Sequence, residues 1–200
     1  LWNAESGVRF GSAEAGAQGE IAFFYMWRED QQVATSFQLD PGDPLSYVFY
    51  TDNAARGRNY GLEASLAWQP VERLNFGATL GLLHSEYVGY RYGDRNLDGR
   101  EQAHAPGYQY SLSAQWGGGG GWMARADLNG VDAFYFDTSH DQRSEARFLA
   151  NLRAGFEAGH WSVHVWARNL FDERYPVRGF HFGNEPPDFP ATLYLRWGDP

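Results

Sequence analysis

The sequence predicts an all-β protein: an antiparallel, up-and-down transmembrane β-barrel segment of about eight strands. Three observations carry that expectation. Apolar and polar residues alternate with period two over segment after segment. The connections between segments alternate between short and long. Aromatic residues make up 17% of the 200-residue chain, with 8 Trp, 12 Tyr and 14 Phe. Period-two alternation marks strands with two different environments on their faces. An aromatic load of this size is natural for a barrel with girdles at both membrane interfaces.

Taken in order, Trp2 to Gly11 alternates weakly. Glu20 to Phe37 places Ile21, Phe23, Tyr25 and Trp27 on one face before turning polar. Tyr47 to Trp68 ends with Tyr60, Leu62, Ala64, Leu66 and Trp68 opposite Gly61, Glu63, Ser65 and Ala67. Leu74 to Tyr90 sets Leu74, Phe76, Ala78, Leu80 and Leu82 against Asn75, Gly77, Thr79 and Gly81. Tyr108 to Trp116 and Trp122 to Phe136 repeat the pattern, the latter with Arg125, Asp127 and Asn129 on its polar face. The clearest case is the Phe148 to Asn169 hairpin. Phe148, Ala150, Leu152, Ala154 and Phe156 share one parity, then Trp161, Val163, Val165 and Ala167 resume it after Glu157 to His160. Each arm is about ten residues long, the length a tilted strand needs to cross a bilayer's apolar band.

Short connections fall at Ser12 to Gly19, Gln69 to Arg73, Gly117 to Gly121 and Glu157 to His160. Longer ones fall at Gln38 to Ser46, Arg91 to Gly107, Asp137 to Ala146 and from Leu170 onward. Outer-membrane barrels sort their connections this way, with short periplasmic turns and long extracellular loops. The polar faces carry Arg125, Asp127, Arg153, Glu157, His164 and Arg168. So many inward charges suit a wide, wet or occupied lumen rather than a packed small barrel.

Composition excludes other classes. A net charge of -9 argues against nucleic acid as a partner. A mean hydropathy of -0.55 leaves no run long and apolar enough for a membrane helix. Without cysteine there are no disulfides. The chain has neither an initiator Met nor a signal peptide, so it is expected to be a piece of a longer protein.

Chemical motifs are thin. Asp94 to Glu101 matches the first half of an oxygen-rich calcium loop, but Ala105 stands where the bidentate Glu belongs, so a solvated turn is the expected role. His160 and His164 would sit about 13 Å apart on a strand, too far to share an ion. Ser139-His140-Asp141 has the letters of a hydrolytic triad, but adjacent residues cannot form its proton-transfer line. Gly117 to Gly121 lacks the Gly-Lys-Ser/Thr of a phosphate loop. No catalytic residue, metal site or cofactor is expected.

Asn169, Leu170, Phe171, Asp172, Glu173, Arg174 and Tyr175, following an alternating hairpin, resemble the closing region of TonB-dependent outer-membrane receptors. Asn59-Tyr60-Gly61-Leu62-Glu63-Ala64 is similar to the N-x-G-x-E strand of those barrels. Gly99 to Pro106 looks like their loop-to-strand entry, and Arg178 to Pro200 resembles their last extracellular loop. The resemblance implies that residues 1–200 are part of a barrel of about twenty-two strands, lacking the final strand and the plug domain.

It further implies an outer-membrane active transport receptor for a scarce nutrient, most readily a ferric siderophore, energised through TonB. The expected partners are outer-membrane lipid, the N-terminal plug domain, TonB and the small-molecule ligand. Specificity in such a barrel lives in loops on a rigid wall. The aromatic and basic set Tyr90, Arg91, Tyr92, Arg178, Phe180 and His181, with Tyr175 and Phe182, would suit an anionic aromatic chelate. Ordinary loop packing with an interfacial aromatic belt is the alternative for these residues. For the whole chain, the alternatives are a soluble secreted all-β ligand-binding module and an outer-membrane barrel hydrolase.

Overall fold

A computed structural model of the chain describes residues 1–40, 42–43, 45–138, 140–183, 187–188 and 190–198, with backbone only at 34–38, 47, 49 and 52–55. Eight strands form one antiparallel sheet in sequence order. They are β1 (Trp2–Ser12), β2 (Ala17–Gln38), β3 (Tyr47–Val71), β4 (Leu74–Val88), β7 (Tyr108–Gly117), β8 (Gly121–Val131), β9 (Arg147–Ala158) and β10 (Trp161–Ala167). A short ribbon of two-residue strands, β5 (Arg91–Tyr92) with β6 (Arg95–Asn96), stands between β4 and β7 in the chain. A terminal hairpin joins β11 (Pro176–Gly183) to β12 (Ala191–Trp197).

The register fixes a single phase across the sheet. One cross-strand row runs Val8, Ile21, Ala64, Leu80, Tyr110, Gly130 and Phe148. The next row of that parity runs Phe10, Gly19, Leu66, Ala78, Leu112, Leu128 and Ala150. Between them, on the opposite face, lie Arg9, Glu20, Ser65, Thr79, Ser111, Asn129 and Leu149. One face is therefore hydrocarbon-like and uncharged along these rows, while the other is polar. A one-residue slip in any strand would put its polar residues on the apolar side, so the pattern itself specifies the register.

No second layer covers the apolar face among the described residues. Val163 and Val165 remain 59% and 67% exposed, beside exposed Trp161. Aromatic belts border this face at both ends. Trp2, Tyr25, Tyr60 and His84 form one ladder, with ring separations of 5.9, 6.4 and 4.7 Å. Trp68 with Phe76, and Trp122 with Phe156 and Trp161, form the other. From Tyr60 to Trp68 the strand rises about 27 Å at roughly 3.4 Å per residue. At a tilt of about 40° that is roughly 20 Å along the membrane normal, close to the height of an apolar barrel band. Where Gly130 leaves a gap in the wall, the Tyr110 ring of the neighbouring strand lies over it, in space a Cβ would occupy.

Connections sort as expected. Residues 13–16, 72–73, 118–120 and 159–160 make the short turns, with Gly16, Arg73, Gly118, Gly119, Gly120 and Gly159 at positive φ. Residues 39–46, 89–107, 132–146 and 168 onward make the long ones, all at the opposite end. Several strand ends differ from expectation, β2 starting at Ala17 and β3 running on to Val71, each three residues past its expected bound. β4 stops at Val88 because Gly89 turns at φ 63, with its N–H donating to Asp98 Oδ1 at 2.6 Å. β8 stops at Val131, and Phe134 and Phe136 are buried in the loop instead. Their alternation continues the strand pattern, but Tyr135 bridges Arg143 within its own loop and makes no sheet pairing. The expected last loop contains a strand pair of its own. Buried side chains gather at this loop end, where Val33, Tyr87, Tyr90 and Leu97 form a small core.

Candidate functional site

The long loops are tied together, and the ties start from single residues. Arg100 sits under loop 132–146 and donates to the carbonyls of Thr138 and Asp137 at 3.2 and 3.1 Å, and also to that of His140. Its guanidinium lies 4.2 Å from the Tyr135 ring centroid and 3.1 Å from Asp141 Oδ1. Arg143 stacks on the same ring at 4.4 Å and pairs with Glu101 at 2.9 Å. A planar fork with five donors is the one side chain that can satisfy several convergent carbonyls while stacking. Nearby, buried Gln102 donates to Asn59 Oδ1 at 2.8 Å and to the Glu86 carbonyl at 3.0 Å. Gln102 thereby clips loop 89–107 to β3 and β4. In the same Asn59-x-Gly61 stretch, the Phe24 ring and the Leu82 carbonyl fill the space a side chain on Gly61 would need.

Asn169 organises the exit from β10. It takes φ 46, its side chain accepts from the Glu173 N–H at 2.9 Å, and it donates to the Glu173 carbonyl at 3.0 Å. Asn tolerates the left-handed region and can bond locally in both directions, which few residues do. Its backbone N–H reaches Asn151 Oδ1, the Leu170 N–H reaches the Ala150 carbonyl, and Asp172 turns at φ 51. Phe171 packs its ring 5.7 Å from that of Phe148, and Arg147 lies 4.4 Å over the Tyr175 ring. The motif residues are thus a tie-down for the segment leading to β11.

The expected ligand residues fall into different places. Tyr90 is 1% exposed, with its ring 5.3 Å from that of Tyr87; it supports the loops and does not reach solvent. Tyr92 packs against the same core, while Arg91 is exposed on the β5–β6 ribbon. Arg178 and Phe180 share an exposed face of β11, and His181 lies on its other face, 5.4 Å from the ring of His140. Phe136 packs against Gly179 on that same side. Burial holds the His140 imidazole below the ordinary histidine range, with His181 and Arg100 adding to the effect and Asp137 and Asp141 opposing it. Its Nδ1 accepts from the Gln142 N–H at 3.3 Å.

The remaining motifs have structural roles. Asn96 and Asp98 spend side-chain oxygens on the N–H groups of Asp98 and Gly89, as turn residues do. His164 faces Glu157 at 3.7 Å while His160 sits in the turn. His140 and Asp141 are used in loop packing, and Ser139 lies outside the described residues. Among the described residues, no three His, Cys, Asp or Glu converge on a metal position. The polar sheet face bears the inward charges, with Arg125 paired to Asp127 at 2.7 Å and Arg153 directly opposite Arg125. Arg100 and Gln102 escaped sequence reading as loop ties, because only loop closure brings them to their partners.

A family model for the β-barrel of TonB-dependent receptor-like proteins matches residues 1–170. Solved structures share the fold. The ferric yersiniabactin uptake receptor of Yersinia pestis superposes with a TM-score of 0.73 at 23% identity, over 97% of this chain and 27% of that one. The siderophore receptor PiuA of Acinetobacter baumannii gives 0.70 at 17% identity, over 98% and 26%. The ferric-catecholate import receptor of Escherichia coli K12 gives 0.66 at 13%, over 98% and 26%. The chain thus spans about a quarter of the length of these structures. With the match covering most of its strands, the chain belongs to the TonB-dependent receptor-like β-barrel family.

Proposed function

We propose that this chain is the C-terminal part of the barrel wall of an outer-membrane receptor for ferric siderophores, energised through TonB. The observation that carries this reading is the uninterrupted apolar outer face, bordered by aromatic belts and crowned at one end by interlocked loops. A soluble secreted module would not leave an apolar face of that extent uncovered. The polar inner face, with Arg125, Asp127, Arg153 and Trp166 facing inward, fits a plug domain as its covering partner. Two of the three superposed receptors are named for a ferric complex and the third for a siderophore, which supports iron complexes as the cargo class. In this reading the protein carries its ligand and performs no catalysis. Arg91, Tyr92, Arg178, Phe180 and His181 are its candidate ligand contacts, and Tyr90 is their support.

The test is uptake of radiolabelled iron, supplied as a panel of ferric siderophores, by iron-starved cells with and without the full-length receptor. The reading predicts loss of at least one complex, restored by the gene and abolished by a protonophore. Unchanged uptake of every complex would defeat the cargo assignment. Receptor-dependent uptake insensitive to the protonophore would defeat energisation through TonB.

A further inference from the structure

The inner wall is sorted by charge and by bulk. Glu5, Glu20 and Glu63 face inward from β1 to β3, where Arg9 is paired to Glu20 at 2.9 Å and Arg28 turns onto the Met26 sulfur. On β4 and β7 the wall stays low, with Thr79, Gly81, Ser111 and Ser113 inward. On β8 to β10 the inward side chains are long and basic. Arg125 is neutralised by Asp127 at 2.7 Å, but Arg153 stands directly opposite Arg125. Trp166 stands opposite Arg153 and is 67% exposed. Together with Asn151 and Arg168 these residues line a trough of about 550 Å³. Among the described residues neither Arg153 nor Arg168 has a carboxylate within ion-pair distance, and the inward Glu157 is turned to His164 at 3.7 Å.

Like charges directly opposite on neighbouring strands repel, and an anion between them removes that repulsion. A plug packs closely where the wall is low, and the long side chains hold it off the backbone elsewhere, which leaves a seam along β8 to β10. From this sorting we infer that an anionic cargo crosses the lumen along that seam, with Arg153 and Arg168 as its transit contacts. The carboxylates of β1 to β3 repel such a cargo from the other side of the wall. The inference rests on the uptake reading for its cargo, and it adds which side of the wall the cargo passes and the charge that side accepts.

The experiment uses the full-length receptor in iron-starved cells. The single-cysteine variants N151C, in the trough, and S65C, opposite Glu20, are reacted with a negatively and a positively charged methanethiosulfonate. N151C should favour the anionic reagent at least about tenfold more than free cysteine does, and R153Q/R168Q should remove that preference. S65C should be shielded or favour the cation. An N151C that is shielded during uptake, or that shows no anionic preference, would overturn the inference by giving the arginines to the plug. Uptake of an anionic ferric complex is the second arm. R153Q/R168Q, checked for native heat-modifiable migration, should lower the maximal rate roughly tenfold, the worth of one charge-assisted hydrogen bond, at an unchanged half-saturating concentration. R153K/R168K should recover part of that rate, because an ammonium keeps the charge. An unchanged maximal rate, a loss confined to half-saturation, or a Lys variant as slow as the Gln variant would each overturn the inference. A wild type that moves no ferric complex defeats the cargo assignment, and the N151C preference then decides the seam alone.

Discussion

Replacing Leu112 with arginine is the sharpest perturbation of the apolar face. Leu112 lies midway between Tyr108 and Trp116 on β7, with Ala78 and Leu128 as its cross-strand neighbours. Four residues separate it from each belt, about 13 Å along the strand and roughly 10 Å along the normal at a tilt of about 40°. That is farther than an arginine side chain reaches by snorkelling. Arginine at the midplane of a barrel's lipid face costs about 2–4 kcal/mol, or roughly thirty- to a thousandfold in the folding equilibrium. The adjacent Ser111 stands between Thr79 and Asn129 on the polar face. Arginine there stays on the polar face, where no hydrocarbon has to be displaced, and should cost less than at Leu112. The assay is urea titration of the full receptor refolded into vesicles, with the folded fraction read from heat-modifiable migration. If L112R tracks the wild type while S111R unfolds early, the two faces have been assigned the wrong way round.

Asn169→Ala removes two side-chain bonds to Glu173 and puts alanine at a positive φ, so the full receptor should lose about 2–4 kcal/mol of local stability. Hydrogen exchange at residues 168–176 reads this, and unchanged protection there would contradict the tie-down role. Arg100→Gln should free loop 132–146 from loop 89–107 and raise its cleavage by added protease at least tenfold, with the strands still protected; equal cleavage would show that the loops hold without it. Acidification should loosen the contact between loop 132–146 and the hairpin. The folded-state pKa of His140 is lowered, so its neutral form contributes stability at higher pH. That contribution falls away as pH drops below about 6.5, the unfolded value. Hydrogen exchange of that loop at pH 5 and pH 7.5 checks the sign, and greater protection at the lower pH would reverse it.

The strands were legible because their two faces meet different solvents and the side-chain period is two. Every one of the eight sheet segments was visible in rows such as Leu62, Ala64, Leu66 and Trp68. The strand ends were less legible. Phe134, Phe136 and Tyr90 keep the apolar parity past the last sheet pairing, yet they turn inward because the loops need a core of their own. Loop architecture escaped for a different reason. One half-buried Arg100 collects carbonyls from residues 37 to 40 positions away, and no local pattern announces such a partner. The opposition of Arg125 and Arg153 likewise exists only once the sheet register is set. By contrast, the Asn169 motif resembles a family signature in the sequence alone, while its physical role, holding a left-handed corner, follows from its φ and its two bonds to Glu173.

The two-faced sheet itself is best tested by nitroxide scanning of the full-length receptor in its membrane, since this chain contributes no cysteine of its own. Single cysteines at 109–115 on β7 and 161–167 on β10 would be labelled in turn and probed with oxygen and a water-soluble nickel chelate. The account predicts a period of two, with Leu112, Ala114, Val163 and Val165 seen by oxygen and Ser111, Ser113, Ser162 and His164 seen by nickel. Equal nickel access at both parities, or opposite phases on the two strands, would contradict it.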